Sequence, residues 1–304
     1  MPDPFEYLLA STFAAGAAAI VVVACGGTAA AASAARTRMA LLAALAVGFA
    51  VGGFWLRLPV SLPPTNALGR LACIVLPLAS GIEVAAGCWT VARRYVWCLR
   101  LALALASGRV LLHASVYVSA DKPAWSAWQA AIVVLLSGAL LALVWSLLVS
   151  LSRRSGGVSL LLALAETTLG GGLAVMLAGY LAGGEAALPV AGALVGCGVA
   201  SGMRRFSSGW FDGALGLGVV ALFGVLFIGH FFGRLSGGRA LAIFLTPLLC
   251  WATELPIFAR QPAWRAAALR LSLVAFPLIV VLVLAKHDFD RDTLPLLAGM
   301  RIDS

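Results

Sequence analysis

Apolar residues run through this chain in long blocks, separated by short polar gaps. A helix that crosses a bilayer needs about 20 mostly apolar residues. Ten stretches meet or approach that length: residues 7–30, 39–56, 68–92, 95–118, 124–151, 158–182, 186–203, 211–233, 239–258 and 264–286. The predicted fold is all-α, a polytopic integral membrane helical bundle of about ten transmembrane helices. The division between the third and fourth stretches and the short seventh stretch are the least sharply marked. No connection is long enough to fold by itself. Residues 1–304 therefore read as one transmembrane domain, with 287–304 a short polar C-terminal tail.

Composition supports the same class. The chain is 62% hydrophobic and 11% charged, with a mean hydropathy of +1.03. Soluble domains carry about 25% charged residues, so water is not the solvent for most of this surface. The first residues, Met1-Pro2-Asp3-Pro4-Phe5-Glu6, are acidic where a signal peptide is basic, and the first apolar run is too long for a signal core. It is expected to be a span of the mature protein. The six cysteines lie in or beside apolar runs without metal-ligand spacing, which predicts small packing residues and neither metal nor cofactor.

The 21 basic and 12 acidic residues give a net charge of +9. All the basic residues except Lys122 and Lys286 are arginine, and their placement alternates. Arg36/Arg38, Arg93/Arg94, Arg153/Arg154, Arg204/Arg205 and Arg260/Arg265 fall in every second connection. The others hold Arg57/Arg70, Asp121/Lys122, Glu185 and Arg234/Arg239. By the positive-inside rule the denser set is cytoplasmic, which puts both termini outside and residues 155 and 185 on opposite faces. The expected location is an integral membrane one, in a bacterial inner membrane. A nucleic-acid partner is not expected, because the basic residues form no continuous surface. Trp55, Trp89, Trp97, Trp125, Trp128, Trp210 and Trp264 stand near predicted helix ends as interfacial anchors.

Small residues suggest where helices approach closely. Gly192-x3-Gly196 and Gly198-x3-Gly202 mark the seventh stretch; Gly213 and Gly216 lie in the eighth. These two helices are expected to form the closest pair. Gly48-x3-Gly52 and Gly170-Gly171-Gly172 add weaker signals. Pro123-Ala124-Trp125 and Pro262-Ala263-Trp264 open two stretches five apart. A duplication would give inverted halves, 1–151 and 152–286; the alternative is that Pro suits a first helical turn and Trp an interface.

Charges inside spans are costly and mark candidate sites. The candidates for substrate or ion binding are Glu83, Arg109, His113, Glu166 and Glu254. At ~1.5 Å per residue from the nearest cytoplasmic arginines, Glu83, Arg109 and Glu166 lie roughly 15, 22–24 and 18 Å deep, while Glu254 is only ~9 Å from Arg260. The first three are expected to form a central polar layer, with Arg109 paired to Glu83 or Glu166. Arg100 and Arg270, nearer helix ends, are expected to reach out to the cytoplasmic surface.

His230 followed by Gly233 and Gly237 has the His-x2-Gly-x3-Gly spacing of rhomboid-type intramembrane serine proteases, and Gly198 to Gly202 loosely resembles their Gly-x-Ser-Gly with one extra residue. Ser201 and His230, however, fall near opposite membrane faces, more than about 20 Å apart and far beyond a Ser–His hydrogen bond. The spacing therefore implies no protease. The expected function is a transporter or permease-like protein for a small solute or lipid-like substrate. Its partners would be the bilayer, that small molecule or ion, and a second membrane protein or copy of itself. The alternatives are a non-catalytic membrane scaffold or complex subunit and, less favoured, an enzyme acting on a lipid-linked substrate near Glu254. A scaffold would show direct Glu–Arg pairs without a cavity; a transporter would show a polar cavity reached by acids.

Overall fold

The computed structural model describes residues 4–26, 34–88, 93–118, 124–204, 206, 209–258 and 261–292. Trp89, Asp121, Lys122, Pro123, Arg205, Arg260 and the tail after Asp292 lie outside the described residues. Twelve helices follow in order: α1 (Pro4–Cys25), α2 (Ala34–Trp55), α3 (Ala67–Arg70), α4 (Leu76–Cys88), α5 (Arg93–Leu111), α6 (Ala127–Arg154), α7 (Gly157–Leu177), α8 (Leu181–Glu185), α9 (Ala187–Arg204), α10 (Asp212–Phe231), α11 (Gly237–Leu245) and α12 (Ala263–Asp292). A π-helical turn, Leu71–Val75, joins α3 to α4, and a 3₁₀ helix, Thr246–Glu254, continues α11. No strand occurs among the described residues.

Among the described residues eight helical segments are long and apolar enough to cross a membrane: Pro4–Cys25, Ala34–Trp55, Ala67–Gly87, Ala127–Arg154, Gly157–Leu177, Leu181–Arg204, Asp212–Phe231 and Ala263–Arg291. Two of the ten expected stretches differ for identifiable reasons. The fourth, α5, carries Arg93, Arg94, Arg100 and Arg109 in 19 residues. The ninth is not one α-helix, because Pro247 at the start of the 3₁₀ segment lacks the N–H that would continue the α ladder. Thr246 Oγ1 donates back to the Ala242 carbonyl at 2.8 Å across the change of pitch.

At the centre stands α10, where every residue from Asp212 to Gly229 is buried. A helix apolar on all sides can face lipid, or neighbours can cover it. Here α2, α4, α6, α7 and α9 do so. Gly216 is required by this packing, because a side chain there would enter the Trp145 indole, itself fully buried.

The closest small-residue packing lies elsewhere than expected. Gly192 and Gly196 of α9 press on the backbone of Ser11 and Ala15 in α1, not on α10. Gly48 and Gly52 of α2 approach the Ala14 and Ala10 carbonyls, and Ala10, Ala14, Ala18 and Val22 form a fully buried stripe on α1. The tight unit is therefore α1–α2–α9, while Gly213 faces Glu83 and Leu42, and Gly216 faces Trp145. Spacing identified the glycines, but α1 supplied their partner with alanine, which also permits close approach.

Arginines tie one end of the bundle together. Arg36 Nε and Arg204 Nη2 donate to the Cys25 and Val23 carbonyls, 3.0 and 2.9 Å away, at the open C-terminus of α1. Arg38 Nη2 donates to the Gly209 carbonyl at 3.0 Å. Arg154 lies over the Trp251 ring, 5.4 Å from its centroid. The opposite end is held by Tyr7 donating to Glu185 at 2.8 Å and by an aromatic cluster of Tyr117, Trp125 and Phe231.

Gly196→Leu should lower stability by about 1–3 kcal/mol or abolish folded yield, as overpacking does. Ala139→Leu, on an exposed position of α6, should stay within about 0.5 kcal/mol. Thermal unfolding of the purified variants measures both, and equal tolerance would show the α1–α9 contact to be slack.

Candidate functional site

Glu83 and Arg100 form a buried, side-by-side ion pair. Arg100 Nε and Nη2 donate to Glu83 Oε1 and Oε2, both at 2.7 Å, and the two side chains are 5% and 2% exposed. The Arg100 guanidinium also lies 4.7 Å from the Trp97 ring and 5.4 Å from that of Trp145. Two matched hydrogen bonds and two aromatic faces keep a charged group inside the bundle.

A second pair stands one helix away. Asp212, at the start of α10, accepts from Arg153 Nε and Nη2 at 3.0 and 2.8 Å and from Ser152 Oγ at 2.7 Å. Between the pairs lies a cavity of about 230 Å³ lined by Arg38, Glu83, Trp97, Arg100, Arg153 and Asp212, with Ala86, Gly87 and Gly213 leaving room. Its walls come from the ends of α2, α4, α5, α6 and α10 that face the arginine-bearing connections. Three guanidinium groups against two carboxylates give the cavity one net positive charge. Arg38 Nε is buried there without a hydrogen-bond partner among the described residues.

A separate network lies around the end of the 3₁₀ helix. Arg270 of α12 is buried and donates to Thr253 Oγ1, Ser159 Oγ and Glu254 Oε1 at 2.7, 2.8 and 2.9 Å. It pins the last turn of the 3₁₀ helix against α7 and α12. With its donors distributed over three partners, this arginine serves structure.

The five residues singled out from sequence do not form one layer. Glu83 lies in the cavity wall, but its partner is Arg100. Arg109 is exposed, with no carboxylate within ion-pair distance among the described residues, so the expected Arg109–Glu83 or Arg109–Glu166 pair does not form. His113 is also exposed, in the turn after α5. Glu166 is half-buried on α7, and its Oε2 is buried without a partner. Glu254 pairs with Arg270, which turns inward instead of reaching the surface, as does Arg100.

The error was one of depth. Measured from the helix ends that flank the α4–α5 connection, Glu83 lies ~8 Å along α4 and Arg100 ~10 Å along α5, whereas Arg109 is ~24 Å along and near the opposite end. Equal distance in sequence from the short gap between α4 and α5 was the signal that could have found the pair. Arg38, Arg153 and Asp212 carried no such signal, since each sits at a helix end where charge is ordinary.

Ser201 and His230 are also separate. Ser201 is buried near the arginine-rich end of α9 with its hydroxyl unpartnered, while His230 Nδ1 is 2.8 Å from the Leu235 carbonyl at the other end of α10. Among the described residues no three His, Cys, Asp or Glu side chains gather as a metal site requires. No protein-family model matches the chain, and no curated protein matches it. Function therefore has to be read from this geometry.

Removing one member of a buried ion pair strands the other, at a cost of about 3–5 kcal/mol. Arg100→Met alone should destabilise the protein by that order, and adding Glu83→Gln should recover most of the loss. Equilibrium unfolding in lipid nanodiscs measures the cycle; additive losses would show that the two side chains act independently.

Proposed function

We propose that this protein is a multi-pass transporter or permease-like protein that receives the anionic group of a small solute or lipid-like substrate in the cavity among Arg38, Arg100 and Arg153. The observation that carries this reading is the buried, unpartnered Nε of Arg38 beside a cavity with a net positive charge. An unsatisfied buried donor costs about 1–3 kcal/mol, which an acceptor on a ligand would recover. Guanidinium forks suit carboxylate and phosphate oxygens. The scaffold reading is favoured by a different observation: the Glu83–Arg100 and Glu254–Arg270 pairs are already direct, and such pairs suffice to fix helix register.

Ten crossings with both termini outside fit the proposal. Besides the eight apolar spans, α5 is ~28 Å long, and its buried Arg100 is neutralised by Glu83. The α11 and 3₁₀ segments together extend about 30 Å, the thickness of the hydrocarbon core. The end rich in arginine would face the cytoplasm, so the cavity would open near that surface.

Two measurements test this. In sealed vesicles, cysteines introduced as Gly156→Cys and Gly238→Cys, both in open space, should react with an impermeant maleimide from opposite sides; reaction from one side overturns the ten-crossing topology. In nanodiscs, butyl phosphate should protect Arg38 from phenylglyoxal, and Arg38→Gln should weaken butyl phosphate binding by about tenfold, the equivalent of one charged hydrogen bond. Absence of both protection and binding would overturn the anion site and favour the scaffold.

A further inference from the structure

An apolar chamber lies beyond the polar cavity along the same helices, with the contact of Leu42 and Glu83 at Gly213 between the two. About one turn beyond Glu83 on α4 and Gly213 on α10, a chamber of about 430 Å³ begins, lined by residues that include Leu45, Phe49, Ser80, Leu217 and Ala221. Phe49 and Ala72 line this chamber and also the next, of about 530 Å³, which runs on past Gly53 and Phe54 to Arg57. The two apolar chambers therefore adjoin, in single file along α2. From Arg38 to Phe49 the rise is ~16 Å, close to the hydrocarbon depth of one leaflet, half of a core about 30 Å thick. The first chamber also has a side opening, since Ala46 of α2 and Pro77 of α4 both line it and are both exposed.

We propose that the ligand of this site is a single-chain amphiphile with a phosphate monoester head, its phosphate among Arg38, Arg100 and Arg153 and its hydrocarbon chain along α2 in the two apolar chambers. This rests on the anion site proposed above and adds the chain. A phosphate monoester brings up to two negative charges and three strong acceptor oxygens, which suits a net positive cavity holding a spare guanidinium N–H. Chambers arranged in single file along α2 suit one extended chain. Lateral access at Ala46 and Pro77 lets the chain pass from lipid without crossing water. Burial of the chain gains little over the bilayer, because lipid tails are as apolar as the groove. The phosphate fixes the ligand and the groove selects its shape.

Photolabelling tests the chain separately from the head. Hexadecyl phosphate carrying a diazirine near mid-chain is added to the protein in phosphatidylcholine nanodiscs, and labelled residues are mapped by mass spectrometry. Label is expected on Leu45, Phe49, Leu76 and Leu217, and it should be displaced by unlabelled hexadecyl phosphate but not by palmitate. Ala46→Trp, which fills the groove from an exposed position, should cut the labelling by about tenfold while butyl phosphate still protects Arg38. Ala72→Phe, from the facing wall, should do the same and stands in if the first variant does not fold. Label spread evenly over lipid-facing helices and indifferent to both substitutions, with protection of Arg38 intact, would overturn the chain groove and leave the anion site standing. Displacement by palmitate would overturn the phosphate head. Loss of both labelling and protection in the unmodified protein would overturn both.

Discussion

A charge inside hydrocarbon must be neutralised where it stands, and the Glu83–Arg100 pair is where this protein meets that constraint. Removing either partner of a buried ion pair strands the other, at a cost of about 3–5 kcal/mol. The two bonds of 2.7 Å between these side chains therefore set the relative height of α4 and α5. The Arg100 guanidinium also lies over the Trp97 ring and near that of Trp145, which extends the restraint to α6. Through Gly216, where only hydrogen fits beside the indole, it reaches α10. One ion pair thus registers four helices, and the polar cavity exists because the same four helices, with α2, leave space beside it.

The rest of the bundle supplies a rigid frame by a different means. In lipid no hydrophobic force draws helices together, so close contact comes from small residues and packed backbones. The α1–α2–α9 unit does this with Ala10, Ala14 and Ala18 of α1 against Gly48 and Gly52, and with Ser11 and Ala15 against Gly192 and Gly196. Its arginine-capped end places Arg38 at the cavity, held by the Gly209 carbonyl. A position fixed from two sides keeps the spare Nε of Arg38 buried, and the proposed recognition of an anion depends on that donor.

Two departures from regular α-helix stand beside buried arginines. The π turn Leu71–Val75 follows Arg70, a buried arginine whose Nη2 donates to the Leu111 carbonyl at 3.3 Å. A cation at the C-terminus of α5 complements the partial negative charge there. The 3₁₀ segment lengthens the path after α11 at ~2.0 Å per residue instead of 1.5, which brings Thr253 and Glu254 to Arg270. In both places an irregular backbone lies beside a buried guanidinium, as expected where polar groups need partners inside an apolar bundle.

Much of the fold was legible in the sequence, because the bilayer imposes a length on each apolar run and a bias on each arginine. The all-helical membrane class, the apolar spans and the gathering of arginines at one end follow from those local rules. That Glu83 would need a partner followed too, since an acid within a span is conspicuous wherever it lies. The sequence did not determine partners. Whether Glu83 meets Arg100 or Arg109, and whether Gly196 meets α1 or α10, depends on which helices become neighbours and how each is rotated. Runs apolar on every side carry almost no rotational signal, as α10 illustrates. Small errors in where a helix begins also become errors of several ångströms in depth. Arg38, Arg153 and Asp212 are ordinary helix-end charges until the bundle converges them on one cavity. That convergence belongs to the tertiary structure, because it requires five helix ends, distant in sequence, to stop at the same height.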